Sequence, residues 1–222
     1  MKRAPALVGV QSRAYDVSAP TRRDLLGLAG KVAIVALFTM MAVRLGMDFL
    51  ETGRVTGLLL LASEALVVVL TVFRRDALAI DRSLRARVLT AIALMGPPLV
   101  RPAHVAPLAS EALTVGVSAV GLLIVIAGKM SLGRSFGLMP ANRGIVSSGL
   151  YRFVRHPIYL GYLVTHAAYV AANPTVWNLA VLVAADIGLM ARAVCEEGTL
   201  ARDPGYVAYQ GRVRWRVVPG LF

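Results

Sequence analysis

The chain has 222 residues, of which 57% are hydrophobic and 16% charged, with a mean hydropathy of +0.68. That is the composition of a membrane protein rather than of a soluble domain. The 24 Lys and Arg against 12 Asp and Glu would suit nucleic acid, an anionic membrane surface or membrane topology, and their positions decide among these.

Residues 1–24, with Pro5, Pro20 and scattered charges, read as an arm ahead of the first apolar stretch, Leu25–Met47. That stretch is as long as a spanning helix and lacks the layout of a cleaved signal, so it reads as a retained helix. Further apolar runs follow at Val55–Phe73, Val88–Pro102, Ser110–Met130, Pro157–Ala172 and Pro174–Val194. With about 20 residues needed for a full span, the expectation is an all-α polytopic membrane fold of about six helices, two of them short. Its parts are the arm 1–24, a four-helix region 25–130, and a C-terminal region 131–222 containing a helical hairpin, 157–194.

Segments 1–24, 74–87, 129–157 and 192–222 hold five Lys or Arg each, whereas 48–54 and 103–109 hold only Arg54. The positive-inside bias then places both termini and the basic segments in the cytoplasm. Basic charge is spent on topology, and nucleic acid is not an expected partner.

Ionisable residues inside apolar spans normally face protein or water. Lys31 and Arg44 lie near helix ends and are expected to snorkel. Glu64, within "LLLLASEALVVVL", and Asp186 are deeper and read first as structural hydrogen-bonding groups, with a proton or substrate role as the alternative. His166 reads as a satisfied core histidine, since a lone histidine supplies no metal-ligand spacing. The single cysteine, Cys195, excludes an intrachain disulfide and a thiolate metal cluster. No metal site is expected.

Residues 129–157 carry five positive charges and no acids in a long Gly/Ser-containing segment, "KMSLGRSFGLMPANRGIVSSGLYRFVRHP". His156 precedes a proline and is pushed away from the α conformation, while Pro157 suits a first helical turn. "RHP" therefore marks a helix start, where free backbone N–H groups and the dipole suit an anion beside Arg155 and His156. The "ANPT" turn after Ala172 makes an antiparallel hairpin with the next helix. Its return brings Glu196 and Glu197 toward Arg155 and His156. Carboxylates at a helix C-terminus oppose the macrodipole and need partners. Arg192, four residues before Glu196, can pair with it, but Glu197 is turned about 100° away and is left for another task.

These residues resemble the isoprenylcysteine carboxyl methyltransferase and phospholipid methyltransferase superfamily of integral-membrane enzymes. The resemblance runs from about Leu132 to Phe222 through "LGRSF", "GLYRFVRHPIYLGY", "EEGTL" and "YVAYQGRVRWRVVPGLF". It implies a methyltransferase that binds S-adenosylmethionine at the cytosolic face and takes a lipophilic or small acceptor from the membrane. Cofactor contacts carry over to His156, Tyr159, Gly161, Glu196 and Glu197, with Tyr151 and Arg155 as neighbours. Tyr206, Tyr209, Arg214 and Pro219 match the C-terminal pattern, and Glu197 and Arg214 are the candidate catalytic residues.

Chemically, Arg155, His156 and the helix N-terminus suit the cofactor's carboxylate, glutamates suit hydroxyls or cations, and tyrosines suit adenine or sulfonium. Gly161 would serve either close backbone approach or helix packing. A carboxylate acceptor needs no base, whereas an amine or thiol must lose a proton, for which Glu197 or a tyrosine is available. Such polar groups near water are expected to be replaceable without loss of folding. The compact, arginine-rich chain fits a bacterial inner membrane, where prenylated Ras-like substrates are not expected. Two other readings stand: an NADPH-dependent membrane reductase of the sterol-reductase type, and a non-catalytic six-helix transporter or interaction protein, for which no internal repeat speaks.

Overall fold

The computed structural model describes residues 22–72, 79–80, 83–132, 141–142 and 145–222, with side chains over 32–65, 83–132 and 145–222. Most of the N-terminal arm, the "GRSF" motif and the Lys31 side chain lie outside the described residues. The chain divides into two units, residues 1–36 and 37–222.

The helices are α1 (Arg22–Thr52), α2 (Thr56–Val72), α3 (Leu84–Leu99), α4 (Glu111–Leu132), α5 (Pro157–Ala172), α6 (Val176–Leu200) and α7 (Pro204–Arg212), with a 3-10 turn at Gly149–Arg152. Each of the six apolar runs holds one of the helices α1 to α6, although residues 100–102 of the third run lie beyond α3 and Phe73 lies outside the described residues. The all-α expectation needs one amendment among the described residues, a two-residue antiparallel ladder pairing Ala79 with Asn142 and Ile80 with Ala141. Val32–Thr52, Glu111–Leu132 and Val176–Leu200 are long and apolar enough to cross a membrane. By contrast α5, with 16 residues, is about 24 Å long, short of a hydrocarbon core of about 30 Å.

Local sequence sets the ends of these helices. Ser83, Thr175 and Asp203 cap α3, α6 and α7 by accepting backbone N–H bonds from Ala86, Asn178 and Gly205, each filling an otherwise orphaned donor. Pro157 occupies the first turn of α5, as "RHP" requires. Helix α6 runs to Leu200, not Val194, so Glu196 and Glu197 sit within its last turns. Arg44, expected to snorkel, reaches the end of a neighbouring helix. Its Nη1 donates to the Val100 carbonyl at the end of α3, 3.2 Å away.

Helix α5 packs most extensively on α4, and α6 on α3. Small residues make this possible: a Cβ on Gly161 would lie 2.8 Å from the Gly121 carbonyl oxygen and 2.9 Å from the Val125 nitrogen. Such close backbone approach is a common device of helix association in membranes. Two apolar clusters sit at opposite ends of α5. One gathers Val125, Ile158, Tyr159, Tyr162, Leu189 and Val217, and the other Met41, Leu45, Leu60, Val100, Tyr169 and Leu182. Leu113, Leu123 and Ile187 point outward and are exposed, as lipid-facing positions should be.

The hairpin turn is fastened to residues 101–103 by two asparagines. Asn173 Oδ1 accepts from the Ala103 N–H at 2.9 Å. Asn178, fully buried, accepts from the Arg101 N–H at 2.9 Å and donates to the Arg101 and Asn173 carbonyls at 2.8 and 3.0 Å. Asn178→Ala would leave these backbone groups without partners, at a cost of about 1–3 kcal/mol. The expected result is a clear fall in apparent melting temperature in detergent, against no change for Val176→Ala, which is 86% exposed.

Candidate active site

The hairpin brings its two ends together. His156, the N-cap of α5, places Nε2 3.2 Å from Glu197 Oε1 and Nδ1 3.6 Å from Glu196 Oε2, so one imidazole faces both carboxylates. Glu196 accepts from the Tyr159 hydroxyl at 2.9 Å and from Arg192 Nη2 at 3.0 Å. The 100° step between the two glutamates sends Glu197 elsewhere. Its Oε1 lies 3.0 Å from Arg155 Nε, and its Oε2 accepts from Arg216 Nε at 2.9 Å and Gln210 Nε2 at 3.3 Å. His156 stacks on Tyr159, with ring centroids 5.2 Å apart.

The backbone of the C-terminal segment fixes this geometry. Val154 and Trp215 form a parallel bridge, and the N–H groups of Arg155 and His156 donate to the carbonyls of Trp215 and Arg216 at 2.9 and 2.7 Å. Arg216 is thereby seated beside Glu197. Arg214, the expected catalytic arginine, is exposed, with its guanidinium 5.0 Å from the Trp215 ring centroid. Gln210 and Arg216 are the members of the cluster that sequence reasoning missed. In "RVRWRVV" nothing separates Arg214 from Arg216; the bridge at Trp215 does.

The other expected residues divide into two groups. Tyr151, Tyr206 and Tyr209 are buried with Val213 in a separate apolar cluster, and the Tyr209 hydroxyl donates to the Tyr151 carbonyl at 2.7 Å. Burial pushes the Tyr209 phenol up to about 12 and raises those of Tyr151 and Tyr206. At neutral pH all three are donors and packing faces, not bases. Gly161 lies against α4, where its missing Cβ admits Gly121 and Val125; the packing alternative describes its surroundings. The helix start is less open than expected, since Tyr159 and Leu160 both donate to the His156 carbonyl.

Three guanidinium groups, from Arg155, Arg192 and Arg216, face two carboxylates. His156 aside, the cluster carries one excess positive charge. Arg155 Nε is buried and, although 3.0 Å from Glu197 Oε1, makes no aligned hydrogen bond. An electropositive cluster with a misaligned buried donor fits a ligand that has a carboxylate end. Glu196 and Glu197 add acceptors for hydroxyl or ammonium groups.

A helical membrane protein with a charge-clamped site at the ends of a helical hairpin is the class that fold and site define. Residues 114–202 match the model of the isoprenylcysteine carboxyl methyltransferase family, which bears out over that span the resemblance carried by the motifs. No curated protein matches the chain.

Proposed function

We propose that the chain is an integral-membrane methyltransferase that uses S-adenosylmethionine and delivers the methyl group to a lipophilic, membrane-accessible acceptor. The observation that carries this reading is the Arg155–His156–Glu196–Glu197 cluster, formed within the span that matches the family. In this reading Arg155 and Arg216 hold the cofactor's carboxylate, Glu196 and Glu197 face its ammonium or hydroxyl groups, and Tyr159 packs on its apolar parts. The cofactor supplies an activated methyl group, and the protein's task is to align donor and acceptor and exclude water. Both termini, on the charge argument, face the cytoplasm.

Titration calorimetry of detergent-purified protein tests the reading. S-adenosylhomocysteine should bind at one site, with no competition from NADPH. Saturable binding of NADPH alone would replace the methyltransferase reading with the reductase one.

A further inference from the structure

The α5 face that begins at His156 continues as one buried row: Tyr159, Tyr162, His166 and Tyr169 recur every three or four residues, the spacing of one helix face. Tyr162 stacks on His166, with centroids 6.1 Å apart. Asp186 of α6 places Oδ1 2.6 Å from His166 Nδ1. Glu64 of α2, 3% exposed, lies within electrostatic reach of His166 and Lys129. The Lys129 ammonium of α4 stands 5.2 Å from the Tyr162 ring centroid and donates to the Ser63 carbonyl at 3.1 Å. Ionisable groups of α6 and α2 thus face His166, with Lys129 of α4 beside the neighbouring Tyr162, and His166 lies about 10 Å along α5 from Tyr159. Ionisable groups this deep in a membrane bundle are costly and mark functional paths.

The carboxylate cluster makes no use of His166. Asp186 engages Nδ1, which fixes the neutral ring with its proton on Nδ1 and its lone pair on Nε2. Nε2 is buried and has no partner. An imidazole held by a carboxylate, with its far nitrogen unengaged, has the arrangement of a proton acceptor. We propose that His166, positioned by Asp186, takes the proton of the methyl acceptor, and that this acceptor is an apolar chain ending in a thiol or amine rather than a carboxylate.

This assignment rests on the methyltransferase reading, and along α5 Tyr162 lies between Tyr159 of the carboxylate cluster and His166. The acceptor atom's lone pair forms the new bond to the methyl carbon, and the donor's carbon–sulfur bond breaks with its electron pair left on sulfur. The acceptor's proton passes to Nε2. Asp186 stabilises the imidazolium until the proton is released to water. A carboxylate acceptor has no proton to give at neutral pH and would leave Nε2 without a task, whereas a thiol or an ammonium group supplies one.

The test uses the full-length protein with 15N-labelled histidine and three probes of equal chain length: dodecanethiol, dodecylamine and dodecanoate. His166 should show the Nδ1–H tautomer. With S-adenosylhomocysteine present, the thiol or the amine should shift its Nε2 resonance and dodecanoate should not. In turnover with S-adenosylmethionine the same protic probe should be methylated. His166→Gln should lower kcat about 100-fold with S-adenosylhomocysteine binding unchanged, and Asp186→Asn should lower kcat without moving KM. An Nε2–H tautomer, an Nε2 resonance unmoved by both protic probes, or wild-type kcat in His166→Gln would overturn the assignment. Failure of the wild-type protein to bind S-adenosylhomocysteine would sink the methyltransferase reading instead, with the response of His166 to the probes still readable in the spectrum.

Discussion

Glu197→Ala is expected to destabilise the protein by about 3–5 kcal/mol, the usual result of removing one partner from a buried ion pair. Its carboxylate is 5% exposed and faces Arg155 and His156, at 10% and 8% side-chain exposure, along with Arg216. Alanine would leave Arg155 without its carboxylate and His156 with only Glu196, 3.6 Å from Nδ1. Proximity to water makes these residues look replaceable in the sequence, but burial of Glu197 changes that expectation for the truncation. Glu197→Gln keeps the shape and one acceptor oxygen, so it should fold. Losing the charged contacts should then weaken S-adenosylhomocysteine binding by about 1.5–3 kcal/mol, roughly ten- to a hundredfold. Melting temperature and calorimetry on the two variants separate the stability effect from the binding effect. A wild-type melting temperature in Glu197→Ala would mean that the cluster holds nothing together.

Gly161→Ala should also destabilise, by about 1–3 kcal/mol, although alanine is the better helix former. The added Cβ would stand 2.6 Å from Val125 Cγ2, 2.8 Å from the Gly121 oxygen and 2.9 Å from the Val125 nitrogen. Two of those atoms are backbone and cannot rotate away, so α4 and α5 must separate. Gly116→Ala, on α4 with nothing within 4 Å of the new Cβ, is the matched control and should be neutral or slightly stabilising. Equal melting temperatures for the two variants would refute the packing role of Gly161.

Helix positions were legible in the sequence because uninterrupted apolar runs admit few other structures, and "RHP" and "ANPT" carry their boundaries in backbone restriction. The pairing of Arg192 with Glu196 followed from helical spacing alone. Two features depended on partners distant in sequence and were not legible. Which of Arg214 and Arg216 meets Glu197 is settled by a bridge to residue 154. The environment of Gly161 depends on which helix packs against it.

The contacts between residues 215–216 and 155–156 join positions sixty residues apart in the chain. A ribosome adding about 5–20 residues per second needs roughly 3–12 s to cover that distance. For that interval α5 exists without the carbonyls that anchor its entry, and Glu197, once made, waits for Arg216. The membrane helices can therefore settle against one another before the clamp closes.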